Sequence, residues 1–69
     1  MTYTIVIETN QGFPKHNLIN VEKKNQLDEA FRRWKLNFDY VNEGKYYIIS
    51  AFALKIDDSG KSSIYKYYK

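Results

Sequence analysis

Apolar and polar residues alternate from Thr2 to Thr9 (TYTIVIET), with Tyr3, Ile5 and Ile7 on one side and Thr2, Thr4, Val6 and Glu8 on the other. The run is β-branched almost throughout. This predicts a strand whose Tyr3/Ile5/Ile7 side faces the core. Asn10-Gln11-Gly12 ends it, because Asn and Gly tolerate positive φ. Pro14 then removes a backbone donor and restricts Phe13. Within Phe13–Glu22, the stretch Leu18-Ile19-Asn20-Val21 suits either a short edge strand paired back on the first or a packed loop.

The pattern changes period at Asn25. Leu27, Ala30, Phe31, Trp34 and Phe38 recur at helical spacing and form one apolar stripe. Asn25 is the expected N-cap, with Asp28 three residues on as a weak capping box. The stripe predicts a helix ending near Asn37 or Phe38. Asp28–Arg32 and Glu29–Arg33 have the i,i+4 spacing of favourable ion pairs. Acids early and bases late suit the helix dipole. Trp34 and Phe31 belong to the stripe and read as core. Asn42-Glu43-Gly44 is the exit turn.

The last third, Lys45 to Lys69, reads as a hairpin. One strand spans Lys45–Ile56 and the return strand Lys61–Tyr68. Asp57-Asp58-Ser59-Gly60 suits a type I turn closed by a left-handed residue. In regular register Tyr47, Ile49, Ala51, Ala53 and Lys55 share one face. Tyr46, Ile48, Ser50, Phe52, Leu54 and Ile56 share the other. Small side chains let a helix approach closely, so Ala51 and Ala53 are expected beneath Phe31 and Trp34. The opposite face is then the more apolar one, whereas a half-solvated antiparallel strand alternates apolar with polar. Such a face needs a cover: the Phe13–Val21 segment, a second copy of the chain, or a different partner. A bulge that shifts the register would instead turn some of these residues inward.

These elements define a single α+β domain over residues 1–69. It is a small antiparallel sheet of three or four strands, ordered β-(β)-α-β-β along the chain, with one helix on one face. A chain of 69 residues buries only about 60% of its unfolded surface, and small domains often lean on a disulfide, a metal or an oligomer. There is no cysteine and a single histidine, His16. Self-association or partner binding is the remaining kind of help.

Composition adds less. No apolar run approaches the ~18 residues of a membrane span, and residues 1–12 lack the features of a signal peptide, so a cytoplasmic location is expected. Lys, Asn, Ile and Tyr supply 29 of the 69 residues. All four have AT-rich codons, a style that fits a low-GC bacterium, its phages or its plasmids. The net charge is +3, and the whole excess lies in residues 45–69.

Catalysis finds little support. His16 sits in a polar segment and reads as an exposed loop residue. Asp57-Asp58 reads as turn chemistry with no third ligand nearby, and three scattered glycines form no phosphate loop. The sequence therefore assigns no catalytic, metal or cofactor residue and no small-molecule substrate. It does assign a partner-binding surface: Tyr46, Ile48, Phe52, Leu54, Tyr65, Lys66, Tyr67, Tyr68 and Lys69. Tyrosine is enriched at protein interfaces because it joins a rigid ring to a hydrogen-bonding tip. The function expected is a small non-enzymatic protein-binding module, phage- or mobile-element-like, inhibiting or modulating a host or defence protein, with a homodimer included. The alternative is nucleic-acid binding, with the Tyr/Lys-rich hairpin stacking bases and touching phosphates.

Overall fold

The computed structural model describes residues 1–12 and 15–69. Phe13 and Pro14, and the backbone restriction expected there, lie outside the described residues. The chain forms β1 (Thr2–Thr9), β2 (His16–Val21), a 3-10 turn (Lys24–Gln26), α1 (Leu27–Asn42), β3 (Ile48–Ile56) and β4 (Ser62–Tyr67). The four strands make one sheet in the order β2-β1-β3-β4, and every neighbouring pair is antiparallel. This is the α+β architecture expected from the sequence, with the ambiguous second segment resolved as an edge strand. His16 is the first residue of that strand rather than a loop residue. Among the described residues, no helix is long and apolar enough to cross a membrane.

β1 lies inside the sheet because both its edges find partners. Its alternation puts Tyr3, Ile5 and Ile7 into the core beside Leu27 and Phe38 of α1 and Ile48, Ala51 and Ala53 of β3. Complete burial of an isoleucine is worth about 2–3 kcal/mol, so the fully buried Ile5 and Ile7 anchor the two layers. Ile19, Val21, Ala30, Phe31 and Trp34 pack around this cluster. Trp34 stacks on Phe38 with ring centroids 4.9 Å apart.

The helix departs from expectation at both ends. Asn25 does not cap it, since the chain already turns at Lys23. The Gln26 side chain accepts the Lys23 N–H at 3.2 Å, and the Gln26 N–H donates to the Lys23 carbonyl at 3.0 Å. Asn25 is thereby placed inside the 3-10 turn. At the other end α1 continues to Asn42, past the apolar stripe. Tyr40 and Val41 are exposed there, so no hydrophobic signal marks the last turn. The helix stops where Glu43 and Gly44 take positive φ, 51° and 76°, and the Lys45 N–H closes on the Asn42 carbonyl at 2.9 Å.

The long hairpin strand holds the main correction. Thr9 pairs with Ile48 and Glu8 with Ser50, which leaves Ile49 as an extra residue in a bulge. The bulge reverses the face of everything before it. Ile48 turns toward α1 and is 7% exposed, while Ile49 is 46% exposed on the opposite side. Ala51 and Ala53 are completely buried in the core on the helix side, although α1 itself lies over β1 and β2 rather than over β3. A second irregularity lies in β4, where Ala53 pairs with Lys66 and Leu54 with Ile64, so Tyr65 is the extra residue. The connecting turn matches its sequence. Asp57 Oδ1 accepts the N–H groups of Ser59 and Lys61, each at 3.0 Å, and the Ser59 hydroxyl at 2.6 Å. Gly60 takes the left-handed position at φ 87°.

Candidate docking face

The helix covers one side of the sheet, and no described residue covers the other. The strand register lays out that open side in rows. Leu18, Val6, Phe52 and Tyr67 follow one another across β2, β1, β3 and β4. The next row is Asn20, Thr4, Leu54 and Ile64, and beyond it Thr2, Ile56 and Ser62. Leu18 is 64% exposed, Tyr67 66% and Ile64 51%, so large apolar side chains stand in solvent at both edges. Phe52 and Tyr67 make the cross-strand aromatic pair, with centroids 6.3 Å apart. Two pairs of polar groups on this face lie close together. The Thr4 hydroxyl donates to Asn20 Oδ1 at 2.7 Å, and His16 Nε2 lies 3.7 Å from Glu8 Oε1.

The two strand lysines, Lys55 and Lys66, fall on the helix side, opposite Tyr3 and Ala53 or in register with them. Lys66 is tied down there. Its ammonium contacts Asp28 Oδ1 at 2.8 Å and lies 5.1 Å from the Tyr68 ring centroid. The Tyr68 hydroxyl donates to the same Asp28 oxygen at 2.9 Å. The Lys66 hydrogen bond, then that of Tyr68, holds the Asp28 carboxyl below its ordinary pKa. Burial first, and the Asp28 carboxylate second, push the Tyr68 phenol well above its ordinary value. Asp28 therefore joins helix to edge strand instead of pairing with Arg32. Glu29 takes both arginines, Arg32 at 2.7 Å and Arg33 at 2.9 Å.

The residues predicted for partner binding divide between the two sides. Phe52, Leu54 and Tyr67 lie together on the open face. Tyr46 and Ile48 are on the helix side, carried there by the β3 bulge, and both pack in or against the core. Tyr68 stacks on Phe31, with centroids 4.4 Å apart, and Tyr65 packs edge-on against Tyr3 at 5.4 Å. The tyrosines thus form no single surface. Tyr46, Ile48, Tyr68 and Lys69 instead help line a cleft of about 230 Å³ with Phe31 and Lys35. Ile56 joins Phe52 and Leu54 on the open face, as expected from the strand alternation, but sequence reasoning missed Val6, Leu18, Ile49 and Ile64 there. The outward positions of β1 and β2 carried the signal for Val6 and Leu18, but an isolated apolar residue among Thr, Asn and Glu gives no contrast until strands are laid side by side.

Fold and face together define a two-layer α+β domain with one sheet surface uncovered. No protein-family profile, curated protein or solved structure matches the chain.

Proposed function

We propose that this protein is a small non-catalytic binding module whose open sheet face docks on a protein surface. The observation that carries the reading is the apolar stripe Leu18–Val6–Phe52–Tyr67 with Leu54 and Ile64 beside it, on a face that receives no strand lysine. Exposed apolar patches of a few hundred Å² mark interaction sites on small soluble domains. Nucleic-acid binding is supported less, because a stacking platform needs cations beside its aromatic rings. Here the aromatic pair on the open face among the described residues, Phe52 and Tyr67, stands on the side opposite Lys55 and Lys66. The AT-rich residue usage supports a mobile-element origin, for which an inhibitor or modulator of a host protein is the natural form.

The test is capture of protein partners by the immobilised chain and by Phe52→Asp and Leu54→Asp variants, with Leu36→Asp on the outer helix surface as control. The sheet-face variants are expected to lose at least tenfold in binding while the control binds normally. Equal capture by all four proteins, with unchanged folding and oligomeric state, refutes the reading. Steep loss of binding to single-stranded DNA or RNA with added salt would favour nucleic acid instead.

A further inference from the structure

We infer that the protein docked on the open sheet face is a second copy of this chain, packed sheet on sheet about a two-fold axis. The inference rests on the docking reading above and names its occupant. A two-fold axis lying in the interface, parallel to the strands and midway between β1 and β3, sets β1 of one copy over β3 of the other and β2 over β4.

The register then determines what meets what. Val6 of each copy stands over Phe52 of the other, Leu18 over Tyr67, and Thr4 over Leu54. Each pairing opposes a smaller side chain to a larger one, the arrangement that lets two sheet faces interdigitate at about 10 Å separation. The charges are self-compatible as well. Glu8 of one copy falls over Ser50 of the other, not over its own equivalent, and each Glu8 keeps its neighbour His16. Lys55 and Lys66 both stand on the helix side, away from the interface.

The area is sufficient. Four strands at about 4.8 Å spacing and six residues at about 3.3 Å rise give a face of roughly 20 by 20 Å. Two such faces project roughly 800 Å², and side-chain relief raises the buried total to on the order of 1,000 Å², the size of a weak, transient interface. The helices and the Tyr46–Tyr68 cleft stay on the outside of the dimer.

Sedimentation equilibrium on the full chain, from low micromolar to near-millimolar protein, tests the assignment. A concentration-dependent dimer whose affinity holds or rises with salt is expected. Leu18→Glu should weaken it at least tenfold. Leu18 is exposed on an edge strand, so this variant leaves the core intact even if Phe52→Asp unfolds the chain. Because the protein has no cysteine, a mixture of Val6→Cys and Phe52→Cys chains should be joined into the crossed dimer by a short bifunctional thiol crosslinker that spans the gap between the sheets, whereas Leu36→Cys should not. A monomer at every concentration, a dimer indifferent to Leu18→Glu, or crosslinking through Leu36→Cys as efficient as the crossed pair overturns the second-copy assignment. If the chain is monomeric yet still captures a protein through Phe52, only the identity of the occupant is wrong. If it is monomeric and captures nothing, the docking reading falls with it.

Discussion

Ile48 and Ile49 are chemically identical neighbours, and the β3 bulge gives them opposite surroundings. Ile48 is 7% exposed within the core cluster and Ile49 is 46% exposed on the open face. Truncating a buried isoleucine to alanine removes its transfer free energy and leaves a cavity, at a cost of about 2–5 kcal/mol. A half-exposed isoleucine on a sheet surface should cost under about 1 kcal/mol, mostly β-propensity. For a chain of 69 residues, total stability at about 0.05–0.15 kcal/mol per residue is only some 3–10 kcal/mol. Ile48→Ala therefore removes a large share of it and Ile49→Ala a small one. With a urea m-value near 1 kcal/mol/M, the Ile48→Ala midpoint should fall by about 2 M or more. The Ile49→Ala midpoint should stay within about 1 M of the parent. The measurement is urea unfolding followed by far-UV circular dichroism in dilute protein, where association on the open face adds nothing. A strand in regular register predicts the reverse order. Equal costs, or a larger cost at Ile49, would refute the bulge and the division of faces built on it.

Two further outcomes follow from the same geometry. Ala51→Leu forces a large side chain into a position with no exposed surface on the helix side of the sheet. Overpacking of this kind costs about 1–3 kcal/mol, which calorimetry should register as a melting-temperature fall of several degrees, and an unchanged melting temperature would show that the core is not closed there. The Tyr68 phenol has a raised pKa in the folded chain, so above the ordinary tyrosine value of about 10 the unfolded chain gives up this proton while the folded chain keeps it. Its contribution to stability is complete below that pH and declines as pH rises. Tyr68→Phe keeps the ring on Phe31, and it should flatten the alkaline fall in stability measured by denaturation between neutral and strongly basic pH; identical alkaline slopes would show that Tyr68 is not the group responsible.

The open face was half legible in the sequence. Phe52 and Leu54 announced it, because two large apolar residues alternating with two alanines make a strand with two apolar sides. Leu18 and Val6 could not, since each is a single apolar residue in a polar row of its own strand. They become part of a patch only when β2 and β1 are set beside β3. The tyrosines misled for a related reason. Tyr46, Tyr65, Tyr67 and Tyr68 stand at the same end of the hairpin, but one bulge in each hairpin strand sends Tyr46, Tyr65 and Tyr68 to the helix side and leaves Tyr67 on the other.

Local chemistry was sufficient for β1, the body of the helix and the hairpin turn, while it left β2 open between strand and loop and missed both helix ends. Alternation defined β1, the Leu27–Phe38 spacing defined the helix, and Asp57 with Gly60 defined the hairpin turn, because each depends on side-chain period or backbone preference within a few residues. Tertiary structure decided what those rules leave open. The pairing of Thr9 with Ile48 and Glu8 with Ser50 placed the bulge, since accommodating an extra residue is a property of two strands together. Asp28 found Lys66 and Tyr68 across 38 and 40 residues of chain, a contact that no local spacing encodes. The uncovered apolar face is likewise a property of the assembled sheet: the helix shields one side, and no described residue covers the other.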